Sequence, residues 1–236
     1  MSDFRDSMKV EIDYRDVLEN QKKEHFRELL GFYLGSILHE DWKKDDEIAY
    51  LAASDEKKAK NWEVGEDGIL RKFKPVNGEV DGKSYVDRSF GFESDNPAYR
   101  ETERKVDIRA LTFEKLPLVW QKENADAGKA AMDLTFEKVL NGDEIDIEEL
   151  SAKVHEAWLS RPNNSWAIQY QSEESKPYAE LSEPVKAKDR RHIELALELL
   201  EKVKNGSITY EELKEKVGPA MNKFNSQMKQ IEEEQK

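Results

Sequence analysis

Two short strings far apart in the chain carry one pattern: "HEDW" at 39–42 and "HEAW" at 155–158, each closing a stretch of helical periodicity. Further on, "YAELSEPVKAKDRRHIELAL" from Tyr178 aligns without gaps on "FEKLPLVWQKENADAGKAAM" from Phe113. Phe113 then stands opposite Tyr178, Leu116 opposite Leu181, and Gln121, Glu123 and Asn124 opposite Lys186, Lys188 and Asp189. The prolines Pro117 and Pro184 fall two positions out of register. "EKVLNGDEIDIEELSAKV" is echoed in turn by "EKVKNGSITYEELKEKV". Three echoes in one order mark an internal duplication, and no other feature restricts the fold as much. Each unit reads helix, His-Glu-x-Trp, variable loop, aromatic-x-x-Leu, second helix, Asn-Gly. A helical pair of this size cannot bury its aromatic face alone. Two units are therefore expected to stack about a pseudo-twofold axis and share a core, leaving a groove between them for a ligand.

The expected architecture is mainly α with a small β insertion, built from two helical-hairpin repeats. Residues 1–142 hold the first repeat, interrupted at about 43–106; residues 143–206 hold the second, and 207–236 form a C-terminal helical tail. Within 17–42, Phe26, Leu29, Leu30, Tyr33, Leu34, Ile37 and Leu38 follow helical spacing, and Gly31 and Gly35 permit close packing. In the insertion, short alternating runs broken by Asn77-Gly78 and Asp81-Gly82 predict a hairpin or a pair of short strands, then a loop through "ESDNPAYR". Thr112 is a candidate N-cap, Pro117 restarts the helix, and Asn141-Gly142 ends it. The acidic start of "DEIDIEELSAKVHEAW" suits a helix N-terminus. A partial third copy begins at Glu211 and stops at Gly218-Pro219, where the tail is expected to break before a charged, fraying end.

Composition narrows the function. With 37% apolar and 38% charged residues, two thin cores are expected rather than one thick one. A net charge of −13 repels a phosphate backbone, so no nucleic-acid polymer is expected as partner. A small anion remains compatible, because a few local cations can dominate one pocket. The absence of cysteine removes disulfides, thiolate zinc sites and thiol nucleophiles together. No signal-type apolar segment and no membrane-length apolar run is present, so a cytoplasmic protein without membrane attachment is expected.

The second unit resembles the ryanodine-receptor repeat, the RyR domain. That family has a His-x-x-Trp helix end, a following tryptophan, and a Pro-Tyr-x-x-Leu-x-x-x-x-Lys-x-x-Asp-Arg run into a second helix. The matching residues are His155, Trp158, Trp166, Pro177, Tyr178, Leu181, Lys186, Asp189 and Arg190. The first unit is similar through His39, Trp42, Phe113 and Leu116, with Gln121, Asn124 and Ala125 in place of the Lys and Asp-Arg. Ser165 stands where the family usually has glycine. The resemblance implies a mostly helical, non-catalytic module, often in tandem, found in large receptors and free-standing in bacteria and their phages. It also implies a ligand or nucleotide sensor, or an interaction surface.

The chemistry-bearing motifs mostly fail their own requirements. His155-Glu156 lacks the second histidine that a zinc-protease face needs, since position 159 is Leu159 and its counterpart is Lys43. No Gly-x-Ser-x-Gly and no glycine-rich phosphate loop occurs, and "NGDEIDIEEL" lacks the alternating ligands of a calcium loop. No metal, no cofactor and no enzymatic activity are expected. The candidate ligand-binding residues are Trp158, Trp166 and Tyr178, as core filling or as a stacking platform. Lys186, Arg190 and Arg191, in the basic run "KAKDRRH", hold phosphates or else pair with acidic neighbours such as Glu180 and Glu183. His155, His39 and Trp42 complete the set. The expected function is a binding module that senses or sequesters a small anionic molecule, a nucleotide derivative first, in the groove between repeats. The alternative is protein–protein interaction, or a structural part of a phage or bacterial assembly; self-association into a homo-oligomer also stays open.

Overall fold

The computed structural model describes residues 14–76, 78–80, 83–85, 98–100, 103–161 and 173–234. Among them are six α-helices: α1 Tyr14–Ala52, α2 Asp55–Asn61, α3 Leu118–Asn141, α4 Ile147–Leu159, α5 Glu183–Lys204 and α6 Tyr210–Glu234. Between α2 and α3 lie seven short strands: β1 Glu63–Val64, β2 Leu70–Arg71, β3 Phe73–Pro75, β4 Gly78–Val80, β5 Lys83–Tyr85, β6 Tyr99–Arg100 and β7 Lys105–Asp107. All pairings are antiparallel: β1 with β2, β4 with β5, and a three-stranded sheet in the order β3-β7-β6. The protein is thus mainly helical with small sheets. None of the described helices is long and apolar enough to cross a membrane.

The helix pair α1/α3 forms the spine, and three glycines set how closely it packs. A Cβ on Gly128 would lie 2.3 Å from the Gly31 carbonyl oxygen and 2.5 Å from the Gly35 nitrogen; one on Gly35 would lie 2.8 Å from the Asn124 oxygen. Backbone therefore meets backbone at this crossing, as the spacing of Gly31 and Gly35 suggested. Each helical glycine costs up to about 1 kcal/mol of propensity, which the tight contact of the two helices offsets.

Helix α3 also packs on α5, α4 packs on α5, and α6 lies along α1. Leu29, Leu30, Leu34, Met132, Phe136, Leu150, Ile193 and Leu200 are fully buried within one continuous cluster. Phe32 joins it edge-on to Phe113 at 5.0 Å and tilted to Phe224 at 5.6 Å. In place of two separate thin cores there is one, because α3 offers apolar side chains to both its neighbours.

The two similar sequence units share several local features. Phe113–Lys115 and Tyr178–Glu180 each form a 3₁₀ turn, and Leu116 and Leu181 after them are each 5% exposed. His39 Nε2 lies 3.0 Å from the Leu111 carbonyl, and His155 Nε2 lies 2.8 Å from the Lys176 carbonyl. A carbonyl only accepts, so each ring donates from Nε2. Gly142 and Gly206 end α3 and α5 next to their asparagines, with φ of 75° and 76°. Thr112 precedes the first 3₁₀ turn rather than α3, whose N-cap position is Pro117. The acidic start of α4 is a helix N-terminus, with Asp146 Oδ1 accepting from the Glu149 N–H at 3.0 Å.

Three expectations differ from the fold. Helix α1 does not stop at Trp42 but runs to Ala52, because 43–52 contains neither glycine nor proline and carries a buried acid described below. Tyr99–Arg100 is a strand paired with β7 rather than part of a loop. Helix α6 continues through Gly218-Pro219. Pro219 costs about 3 kcal/mol in a helix interior. Leu213, Val217, Met221, Phe224 and Met228 recur at helical spacing and are all buried, and each such side chain contributes about 1.5–3 kcal/mol. Packing wins. Asn77, Asp81 and Gly82 lie outside the described residues.

The crossing generates a prediction. Gly128→Ala should lower stability by about 2 kcal/mol or more in urea unfolding, since the new methyl meets only backbone; an unchanged midpoint would contradict the geometry.

Candidate functional site

Asp46, on the part of α1 beyond Trp42, is buried with its side chain 3% exposed. Its carboxylate accepts from Trp62 Nε1 at 2.9 Å and from Arg109 Nη1 at 2.8 Å, and pairs closely with Lys72 Nζ. Arg109 also donates to the Lys43 carbonyl at 2.9 Å. Asp107, on β7, accepts from the backbone N–H groups of Lys72 at 2.9 Å and Arg109 at 3.1 Å. Together these bonds pin the β3/β7 sheet onto α1. They fix the Lys72 ammonium 4.7 Å from the Trp62 ring centre and 5.5 Å from that of Trp42.

Residues two apart along an extended segment share a face, so Lys74 points the same way as Lys72. Its Nζ lies 5.7 Å from the Trp120 ring centre. Trp120, in the first turn of α3, donates its indole N–H to the Pro75 carbonyl at 2.8 Å, and Asn124 donates to the Trp120 carbonyl at 2.7 Å. These residues surround a cavity of about 410 Å³ that His39, Trp42, Ile108 and Leu116 also line. Lys188, reaching across from α5, completes the lining.

Lys74 makes no ion pair with a carboxylate among the described residues. Burial, and then the neighbouring charge of Lys72, hold its ammonium below the usual lysine range. Burial likewise lowers His39 below its ordinary value against the raising effect of the Leu111 carbonyl, so the ring is neutral at pH 7. With Nε2–H engaged, its other nitrogen is an acceptor. The ring stacks near Trp42, 5.8 Å between centres and 15° between planes. A patch combining cations, indole faces and a neutral histidine suits a small anion with a flat apolar body.

The remaining expected residues gather in the second unit, where the cations meet carboxylates. His155 is buried, its Nδ1 3.1 Å from Asp189 Oδ2. Burial pushes Asp189 up to about 6, with His155 opposing. Tyr178 donates its hydroxyl to Glu148 at 2.9 Å and has Lys186 Nζ 5.5 Å from its ring centre. Arg190 pairs with Glu148 and, at 2.8 Å, with Glu183. Arg191 grips both oxygens of Asp41 on α1, at 2.9 and 3.1 Å, and reaches Glu198 at 3.2 Å. Lys186 also lies 3.9 Å from Glu183 and Lys188 3.3 Å from Glu174, so all four cations of the basic run have carboxylate partners. Trp158 is half-buried, its ring 5.8 Å from that of His155. Trp166 lies outside the described residues.

Of the expected site residues, His39 and Trp42 line the cavity. Sequence reasoning missed Lys72, Lys74, Trp120, Asn124 and Lys188 in this role. The alternation in "RKFKP" was the available signal for the first two, and the i, i+4 spacing of Trp120 and Asn124 for the next. Lys188 lies within the basic run, but its place in this lining follows from the packing of α5. No three acids or histidines among the described residues converge into a metal centre. No protein-family model, no curated protein and no solved structure matches the chain.

Asp46→Asn should cost about 3 kcal/mol in urea unfolding, because it leaves two cations without their buried counter-charge. A change below about 0.5 kcal/mol would show that the sheet is held some other way.

Proposed function

We propose that the protein is a non-enzymatic binding module whose cavity between α1, β3, α3 and α5 takes a small anionic molecule with a flat ring, a nucleotide derivative first among the candidates. One observation carries the reading: Lys74 brings a half-buried ammonium without a carboxylate partner among the described residues to a cavity lined by two indoles, in a chain of net charge −13. An unmatched buried cation is costly unless an anion completes it. The RyR-like pattern of the second unit agrees with a sensing or sequestering role. In this reading the ligand lies in the first unit, and the second contributes Lys188 from its second helix, α5.

Thermal-shift and calorimetric titration against nucleotides, sugar phosphates and aromatic carboxylates tests the proposal. At least one flat anion should raise the melting temperature, and Lys74→Met should weaken it by about tenfold or more without lowering the stability of the free protein. No binding across the panel, or equal binding by Lys74→Met, would refute it.

A second reading, a protein partner, is favoured by a different observation. Ile48, Leu51, Val64 and Ile69 are exposed large apolar residues on the end of α1 and the β1/β2 hairpin. It requires that a stoichiometric complex from the native host be lost in Ile69→Lys while ligand affinity is unchanged.

A further inference from the structure

Resting on the anion-binding reading above, we infer that the cavity selects flat anions whose ring carries a hydrogen-bond donor, an N–H or amino group, and that His39 Nδ1 is the acceptor that reads it. His39 Nε2 lies 3.0 Å from the Leu111 carbonyl, which fixes a proton on that nitrogen. Burial holds the imidazole below its ordinary value, so Nδ1 keeps its lone pair at neutral pH. No hydrogen bond reaches Nδ1 from the described residues. The ring is almost wholly buried, yet Nδ1 is not sealed within the protein as the unpartnered His192 Nδ1 is. Its remaining access is to the cavity that His39 lines.

The second unit shows the corresponding nitrogen completed. His155 Nδ1 lies 3.1 Å from Asp189 Oδ2. Asn124 aligns with Asp189, but it turns its amide nitrogen to the Trp120 carbonyl at 2.7 Å and makes no bond to His39. Asn124 Oδ1 is then a second acceptor in the cavity lining. An acceptor left unmet in a desolvated site costs affinity, so a ligand that supplies a donor is favoured over one that does not.

The charged groups lining the cavity, Lys72, Lys74 and Lys188, are donors only. They suit the anionic end of a ligand, whereas an anionic oxygen placed at Nδ1 would face a lone pair. The ligand is thereby oriented, with its acid toward the lysines and its donor edge toward His39. Ring planes specify the donor further. The imidazole is tilted 15° from the Trp42 indole plane, with 5.8 Å between centres. A ring lying against Trp42 is nearly parallel to the imidazole, and the Nδ1 lone pair lies in the imidazole plane. A donor in the plane of the ligand ring, as a ring N–H or a conjugated amino group is, meets that lone pair in line. A ring bearing only acceptors leaves it unmet.

The experiment is calorimetric titration of the full chain at pH 7.5 with matched pairs of flat anions. Adenosine, cytidine and uridine 5′-monophosphates are set against their N6,N6-dimethyl, N4,N4-dimethyl and N3-methyl forms, which lack every donor on the base. Indole-3-acetate set against benzofuran-3-acetate removes the N–H without adding bulk. At least one donor-bearing member should bind about tenfold more tightly than its partner, or better. In His39→Phe that ratio should fall to within about twofold. A second readout needs no variant. In a ¹⁵N spectrum of the imidazole rings, the His39 Nδ1 signal should move toward that of a protonated nitrogen with the donor-bearing member and hold still with its partner. Binding without preference in any pair, or a preference that survives in His39→Phe or leaves the Nδ1 signal in place, would overturn this inference and leave the anion-binding reading standing. Absence of binding by every compound would overturn both.

Discussion

A single buried carboxylate, Asp46, organises the region on which the functional reading stands. A charge with so little contact with water is costly unless donors surround it, and Trp62, Lys72 and Arg109 do so from three separate segments. Satisfying it requires α1 to continue past Trp42 and the β3/β7 sheet to fold back onto that extension. The same bonds hold an ammonium against the rings of Trp42 and Trp62. The insertion is therefore not an appendage to the first repeat. It supplies Lys72 and Lys74 to the cavity, to which α1 and α3 contribute His39, Trp42, Trp120 and Asn124.

The two similar sequence units share a histidine that donates to a loop carbonyl, a 3₁₀ turn, a buried leucine and a left-handed glycine stop. They differ in how their polar groups are completed. In the second, Asp189 faces His155, and Arg190 and Arg191 meet carboxylates. In the first, Asn124 occupies the position of Asp189 and bonds to its own helix instead, while Trp120 stands where the second repeat has Val185. The cations of the second unit's basic run all meet carboxylates, one of them Asp41 on α1; beside the first unit, Lys74 has no carboxylate to meet among the described residues. Arg191 and Lys188, on α5, tie the two together through Asp41 and through the cavity lining.

Much of the helical frame was legible because it depends on local chemistry. Apolar spacing located α1, the Asn-Gly pairs located the ends of α3 and α5, and Gly31 and Gly35 pointed to a close crossing. Where tertiary packing overrides a local preference, the sequence misled. Pro219 reads as a breaker, yet the buried face from Leu213 to Met228 carries the helix through it. "KKDDEIAYLA" reads as the start of the insertion, yet it continues α1, with Asp46 surrounded by donors. The site was half legible. His39 and Trp42 belong to a repeated motif and stood out. Lys72, Lys74 and Lys188 are ordinary lysines in a chain rich in charge, and only folding brings them to one cavity. In the basic run at 186–191, pairing with Glu183 was legible as a near neighbour, whereas Asp41 on α1 and Glu148 on α4 reach it only through folding.

The most direct test of where the ligand goes is to follow the five indole N–H signals in a ¹H–¹⁵N spectrum while a nucleoside monophosphate is added. The account predicts that Trp42 and Trp120 shift together, with Trp62 responding through Lys72, while Trp158 stays in place. Shifts confined to Trp158 and Trp166 would move the site to the second repeat and contradict it.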